Sequence, residues 1–130
     1  QSNTTNKKSS KGEINMNLLG ELTITKNVAV SVDDTLQKAI LKIDQNNLGV
    51  VAVIQDYQAV SIITERDILH LATDINLNVK LKDIIQPKEL VVVDFKRSVE
   101  YALHILIDNN IRRLIVVDSS NHFIGLTTQD

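Results

Sequence analysis

The sequence predicts an α+β fold that contains two copies of a β-α-β-β-α unit. The first observation is an internal repeat, because residues 22–67 align without a gap with residues 85–130 after a shift of 63 positions. The second is that each copy carries strand-length apolar runs and one segment of helical period. Since each copy is too small to bury both faces of its own sheet, we expect the units to pack sheet to sheet with pseudo-twofold symmetry.

The composition sets limits on function. Hydrophobic residues make up 43% of the 130 residues and aromatic residues 3%, which predicts an aliphatic core. The net charge of −2 offers no field for nucleic acid, and no apolar run reaches the length of a membrane span. The lack of cysteine fits a reducing compartment. We therefore expect a cytoplasmic chain that contacts neither nucleic acid nor the membrane directly.

The N-terminal residues differ in character from the remainder. Residues 1–13 hold no large apolar side chain, and residues 14–22 are compatible with a short helix or turn. We predict that residues 1–19 are a disordered tail or lead-in, residues 20–78 the first repeat and residues 79–130 the second.

The first repeat reads as strand, helix, two strands and helix. Residues 28–32 alternate like a strand, and Asp33, Asp34 and Thr35 supply a helix start signal. The helix that follows has one apolar face and ends at residues 46–47. Its apolar face contains Leu36, Ala39, Ile40 and Ile43.

Two further strands follow in the first repeat. Residues 49–54 form a continuous apolar run, residues 55–58 a tight turn, and residues 59–63 a second apolar run. A helix is predicted from Thr64 to about Ala72, with Ile68, Leu69 and Leu71 facing inward.

The second repeat follows a connection in which residues 81–86 predict a short helix stopped by Pro87. The apolar helix face returns 63 positions later, and since Asp130 is the last residue given we expect the second repeat to lack its last helix. The repeated face contains Val99, Ala102, Leu103 and Leu106.

A Thr-x-x-Asp motif ends the last strand of each copy, as Thr64 with Asp67 and as Thr127 with Asp130. A hydroxyl and a carboxylate at this spacing form an ordinary capping box that satisfies a helix start. The same groups, beside free backbone N–H groups, can also hold a phosphate and a ribose. Because the motif recurs at equivalent positions, we favour a binding role in addition to the cap.

No constellation indicates catalysis or a metal. His70, His104 and His122 lack a second ligand at helical spacing, and Asp33 with Asp34 is better explained as a cap. No nucleophile elbow accompanies the Ser, His and Asp residues. We therefore predict no catalytic residue, no metal site and no enzymatic activity.

The repeat resembles a tandem pair of cystathionine-β-synthase (CBS) domains, the regulatory unit called a Bateman module. The resemblance rests on SIITERDIL, NIRRLIVVD and VSVDDTLQKA and covers roughly residues 20–130. Ser61 and Ile124 stand where glycine is common in the family, and Ala52 and Ile115 replace a common proline.

The resemblance implies adenosine-nucleotide sites between the repeats, for AMP, ADP, ATP or S-adenosylmethionine, with no cofactor required. The aspartate would bind the ribose, and the threonine and nearby basic side chains the phosphate. One implied cleft joins Thr64 and Asp67 to Gln86, Val91, Ile111, Arg112 and Arg113. The other joins Thr127 and Asp130 to Thr23, Val28, Leu48, Gly49 and Val50.

The two implied clefts differ in charge. Arg112 and Arg113 occupy the positions that Gly49 and Val50 hold in the other copy, so we favour the Asp67 cleft for a phosphorylated ligand and expect one occupied site at most. The same arginines can instead form salt bridges with Asp108 or Asp118.

The implied function is a non-catalytic regulatory module that senses an adenosine nucleotide and transmits its binding to a partner domain or subunit. The partners would be an adenosine-type small molecule, a second copy bound through the helices, and a fused or associated effector domain. The alternative is a structural dimerisation module that binds no nucleotide.

Overall fold

A computed structural model describes residues 13–15, 23–71, 76–86, 88 and 90–128. The chain divides into two compact units, one formed by residues 28–89 and the other by residues 1–27 together with residues 90–130. We call them the continuous unit and the split unit. The predicted repeat boundaries remain a prediction, since a division by spatial contacts does not test a division by sequence repeat.

The continuous unit is a sheet of three strands flanked by helices. Strands β3 (Ala29–Ser31) and β4 (Val50–Gln55) are parallel, and β5 (Gln58–Thr64) pairs antiparallel with β4. Helix α1 (Leu36–Asn46) connects β3 with β4, and helix α2 (Glu65–Leu71) follows β5 directly. The buried core of this unit contains Val30, Val32, Leu36, Ala39, Ile43, Val51, Val53, Ile63 and Leu81.

The ends of α1 follow from local hydrogen bonding. The Thr35 hydroxyl accepts a hydrogen bond from the Lys38 N–H at 3.2 Å and so caps the first turn. At the other end Asn47 adopts a left-handed conformation with φ of 62°, which asparagine tolerates better than most residues. The predicted helix start and the predicted helix end are both confirmed.

The β4–β5 hairpin turns through Asp56 and Tyr57, whose φ angles are 53° and 70°. Positive φ at both central residues is the geometry of a two-residue turn that matches the twist of the flanking strands. The turn predicted at residues 55–58 is therefore present.

The split unit holds a sheet of five strands in the order β1-β2-β8-β7-β6. Its central part, β6 (Val92–Asp94), β7 (Arg113–Val117) and β8 (Phe123–Thr128), repeats the pattern of the continuous unit, with helix α3 (Val99–Asp108) between β6 and β7. Strands β1 (Glu13–Asn15) and β2 (Thr23–Thr25) extend the sheet beyond β8, with Ile24 opposite Thr127.

The internal repeat extends to details of the hydrogen bonding. The register shifts between Val53 and Ile54 in one sheet and between Val116 and Val117, 63 positions later, in the other. The Ala52 N–H donates to the Val28 carbonyl at 2.7 Å, and the equivalent Ile115 N–H donates to the Val91 carbonyl at 3.1 Å. A proline lacks this N–H, so both sequence departures at the common proline position form a bond that proline cannot.

Three expectations about individual elements require correction. Residues 13–15 form a strand because they pair with β2, whereas residue 13 was predicted to end the polar tail and residues 14–22 to form a helix or turn; residues 16–22 lie outside the described residues. The short helix expected over residues 81–86 is a single 3-10 turn at Leu81–Asp83. Leu69 was expected to face inward but is 73% exposed.

Candidate functional site

The junction between β5 and α2 is closed by Thr64 and Asp67. The Thr64 N–H donates to Asp67 Oδ2 at 2.9 Å, and the Asp67 N–H donates to Thr64 Oγ1 at 3.2 Å. These reciprocal bonds form a capping box around the first turn of α2. The ordinary structural role of the motif is therefore real, and a ligand role must use the atoms that the cap leaves available.

Lys88 is the cation that meets this motif. Its ammonium donates to Asp67 Oδ2 at 3.1 Å and to the Ile62 carbonyl at 3.0 Å, and the Lys88 and Asp67 side chains are each 35% exposed. An ammonium has three donors, so one remains. The ion pair links α2 to the chain that follows the 3-10 turn, and the bond to the Ile62 carbonyl links the same chain segment to β5.

The electrostatic environment of Asp67 favours its charged form. Burial by itself raises the pKa of this carboxyl, but the Thr64 N–H and the Lys88 ammonium oppose that effect. Their combined action lowers the pKa of Asp67 below its ordinary value of 3.8. Asp67 is therefore an anion at neutral pH.

The hydrogen bonds to Asp67 converge on one oxygen. Both the Thr64 N–H and the Lys88 ammonium donate to Oδ2, and no group among the described residues donates to Oδ1. An ionised carboxylate accepts at both oxygens. Oδ1 can therefore accept a hydroxyl of a bound ligand without breaking the cap.

A cleft of about 300 Å³ opens beside this carboxylate; we call it the β5–α2 cleft. Its volume lies at the lower end of the range of about 300–1,000 Å³ for small-molecule sites. Most of the lining surface is apolar, although five of the ten lining residues are polar or charged. The lining residues are Ser61, Ile62, Ile63, Asp67, His70, Leu71, Ile84, Ile85, Gln86 and Lys88.

Ser61 fixes one wall of the β5–α2 cleft. The side chain is 1% exposed, and its hydroxyl donates to the Gln86 carbonyl at 3.1 Å. A glycine at this position could not form that bond. The departure from the common glycine therefore holds residue 86 against β5.

The residues predicted for the Asp67 cleft divide between the two units. Thr64, Asp67 and Gln86 lie in the continuous unit, where Asp67 and Gln86 line the β5–α2 cleft. Val91, Ile111, Arg112 and Arg113 lie in the split unit, so a site that joins all seven remains a prediction.

The structure tests the salt-bridge alternative for the two arginines within the split unit. Arg112 is exposed and Arg113 is half-buried at the start of β7. Neither forms an ion pair with any residue that the structure describes. Asp118 Oδ1 instead accepts the N–H groups of Ser120 and His122, which lower the pKa of Asp118, the His122 bond most.

The residues predicted for the other cleft are also divided. Thr23 and Thr127 lie in the split unit on the paired strands β2 and β8, and Asp130 lies outside the described residues. The Thr127 side chain is fully buried, and its hydroxyl has no partner among the described residues. The remaining residues, Val28, Leu48, Gly49 and Val50, lie in the continuous unit.

Those four residues have structural roles within their own unit. The Leu48 N–H donates to Asn46 Oδ1 at 2.8 Å, and Asn46 Nδ2 donates to the Val50 carbonyl at 2.9 Å. Gly49 adopts φ of 73°, and its carbonyl accepts the Glu65 N–H at 2.9 Å. These bonds shape the start of β4, where the resemblance to CBS domains predicts ligand contacts.

The structure adds Lys88, Ser61 and His70 to the predicted site residues. The sequence pointed only to the neighbourhood of Lys88. Lys88 follows the predicted site residue Gln86 by two positions, and its counterpart in the first repeat is Thr25. That signal does not indicate which acid Lys88 meets, because the pair is separated by 21 residues.

A metal site and a membrane span are both absent from the part of the chain that the structure describes. No group of three or more His, Cys, Asp or Glu residues there could hold a metal ion. None of the helices there is long and apolar enough to cross a membrane.

Comparison with known proteins places the fold and the repeat in one family. The CBS domain model matches residues 19–74 and again residues 81–130. The chain belongs to the CBS domain family and carries a tandem pair of these domains.

Curated relatives match over the same region. Inosine-5'-monophosphate dehydrogenase of Methanocaldococcus jannaschii is 31% identical over 109 residues, which cover 83% of this chain and 21% of the relative. The enzyme of the same name from Thermoplasma acidophilum is 30% identical over 100 residues, which cover 76% and 19%. The chain thus spans about a fifth of the length of these relatives.

Solved structures share the fold. The CBS domain protein PAE2072 of Pyrobaculum aerophilum, in complex with AMP, has a TM-score of 0.64 at 20% identity, covering 79% of this chain and 80% of its own. The cytosolic domain of the Mg²⁺ channel MgtE, in complex with ATP, has a TM-score of 0.66 at 19% identity, covering 86% of this chain and 46% of its own. At these identities the likeness establishes the fold.

Proposed function

We propose that the chain is a regulatory, non-catalytic module that binds an adenosine nucleotide and transmits that binding to a partner domain or subunit. The proposal rests on the two carboxylate oxygens of Asp67. Oδ2 accepts the hydrogen bonds of the helix cap and of Lys88, and Oδ1 has no donor among the described residues. An ionised carboxylate with a free oxygen at the side of an aliphatic cleft suits a ribose diol next to an adenine ring.

The family gives independent support for the ligand class. PAE2072 is in complex with AMP, and the MgtE cytosolic domain is in complex with ATP. We propose AMP, ADP, ATP or S-adenosylmethionine as the ligand class, with no cofactor required. We further propose that Arg112 and Arg113 reach the phosphate at the Asp67 cleft and that this cleft is the one site occupied, if any is.

The relatives also suggest how the module acts. Inosine-5'-monophosphate dehydrogenase carries the matching region as about a fifth of its length, so the module can accompany a larger effector. We propose that nucleotide binding changes how the module packs, and that a fused or associated effector responds. Coupling of this kind is typically worth about 1–3 kcal/mol. We place this action in the cytoplasm, away from nucleic acid and without direct membrane contact.

A thermal-shift panel tests the function. AMP, ADP, ATP and S-adenosylmethionine are compared with GMP, which retains ribose and phosphate but changes the base. A ligand that binds only the folded chain adds about 2.7 kcal/mol of stability at a hundred times its Kd, so at least one adenosine ligand should raise Tm while GMP leaves it unchanged. If none of these ligands raises Tm, the proposed function is wrong.

A specific observation also favours self-association through the helices. Leu69 on α2 is 73% exposed and Ile107 on α3 is 67% exposed. Aliphatic side chains with this exposure suit burial against a second copy. We propose a homodimer through these helices; if the panel is silent but sedimentation shows a dimer that Leu69→Glu dissociates, a structural dimerisation module is the function.

A further inference from the structure

We propose that Lys88 determines ligand specificity in the β5–α2 cleft by making it select anionic over neutral or cationic adenosine ligands. The inference rests on the proposed function and deepens it. The arginines predicted from the repeat, Arg112 and Arg113, lie in the split unit, whereas among the described residues Lys88 is the one lysine or arginine that lines the β5–α2 cleft.

Asp67 brings a negative charge to the β5–α2 cleft. An unpaired carboxylate would give the cleft a negative potential, which repels a phosphate and attracts a cation such as the sulfonium of S-adenosylmethionine. The Lys88 ammonium lies 3.1 Å from Asp67 Oδ2 and neutralises that charge. Asp67 and Lys88 together therefore give the cleft no net repulsion toward a phosphate.

Lys88 has one N–H donor left for a ligand. Two of its three N–H groups are directed at Asp67 Oδ2 and the Ile62 carbonyl, and both bonds hold the ammonium at the cleft. The remaining N–H can donate to a phosphate oxygen in a charge-assisted bond. Since the side chain is 35% exposed, its flexible stem can also adjust to a ligand.

Selection of the ligand by the Lys88 charge and positioning of Asp67 by Lys88 predict different effects on AMP and adenosine. If Lys88 only positioned Asp67, its loss would weaken every ligand that shares the ribose. If its charge selects the ligand, loss of the charge weakens AMP and leaves adenosine, which lacks only the phosphate, nearly unaffected.

The test measures the Kd of AMP, adenosine and S-adenosylmethionine by calorimetry for the parent and for Lys88→Gln. We expect Lys88→Gln to weaken AMP about 5- to 10-fold and adenosine less than about 2-fold. The preference for AMP over S-adenosylmethionine should fall as well. High salt should reduce the AMP advantage of the parent.

Two variants serve as controls. Lys88→Arg retains the charge and should keep the AMP-to-adenosine ratio of the parent. Lys82→Gln removes the same charge from the same unit, but Lys82 pairs with Asp33 at 3.3 Å and does not line the cleft, so it should leave both Kd values unchanged.

The outcomes distinguish the inference from the function it rests on. Equal weakening of AMP and adenosine by Lys88→Gln, or no change in either, would overturn the specificity role while nucleotide binding stood. If the parent binds none of the three ligands, both the inference and the proposed function fail.

Discussion

Thr64 and Asp67 hydrogen-bond each other twice, main chain to side chain in both directions, at 2.9 Å and 3.2 Å. The same pair therefore starts helix α2 and presents a carboxylate oxygen to the β5–α2 cleft. A cap that is already formed holds this carboxylate in place before any ligand arrives, which lowers the ordering cost of binding.

Removing either member of the cap should destabilise the fold, and the effects should not add. Thr64→Ala and Asp67→Ala should each lower the free energy of unfolding by about 0.5–2 kcal/mol. Because both bonds close the same first turn of α2, losing one loosens the turn that the other stabilises, and the double variant should lose less than the sum. Chemical denaturation measures the cycle, and additive losses would show that the two cap bonds act independently.

Thr35→Ala provides a matched control for that cycle. Thr35 caps α1 through the Lys38 N–H, with no carboxylate at Lys38 to return the bond. We expect a loss of similar size that is independent of Asp67→Ala.

The stability that Asp67 contributes should depend on pH. Since the folded pKa of Asp67 lies below its ordinary value of 3.8, the contribution is fully present above that value and is lost as pH falls through the folded pKa. The stability difference between the parent and Asp67→Asn should be constant near neutrality and shrink on acidification. A difference that grows at low pH would show that the pKa of Asp67 is raised.

Gly49→Ala should destabilise the entry to β4. The residue has φ of +73°, and an added Cβ would lie 3.0 Å from Glu65 Oε1. We expect a loss of about 1–2 kcal/mol in unfolding free energy, mostly from the backbone conformation. Gly49→Asn should cost less, because asparagine tolerates positive φ; equal losses would point to the contact with Glu65.

Two leucines at opposite extremes of exposure test the packing. Leu36 is fully buried, and Leu36→Ala should lower the unfolding free energy by about 2–5 kcal/mol. Leu69 is 73% exposed, and Leu69→Ala should change it by less than about 0.5 kcal/mol. A large loss at Leu69 in the monomer would contradict the exposure.

Much of the fold could be predicted because the repeat and the helical period are local signals. Leu36, Ala39 and Ile43 are buried on α1, and their counterparts Ala102 and Leu106 are buried on α3. Helix α2 has only 7 residues, which is too short for a hydrophobic period to show which face is buried. The prediction that Leu69 faces inward was therefore wrong. The strand at residues 13–15 depends on pairing with β2, which no local pattern reports.

The site was only partly accessible from the sequence for the same reason. The Thr64–Asp67 motif is local and was identified, with its cap and its carboxylate. Lys88 reaches Asp67 across 21 residues, and Ser61 reaches Gln86 across 25, so both contacts depend on tertiary folding. The roles of Arg112 and Arg113 in ligand binding remain predictions.

The most direct test of the account is the affinity of AMP for Asp67→Ala, measured by calorimetry beside the parent and Asp44→Ala. Asp44 is an exposed carboxylate on α1 that lies outside the cleft lining. We predict that Asp67→Ala, folded as judged by circular dichroism, binds AMP at least about 10-fold more weakly, whereas Asp44→Ala binds as the parent does. AMP binding by Asp67→Ala with the parent's affinity would contradict the ribose role of Asp67.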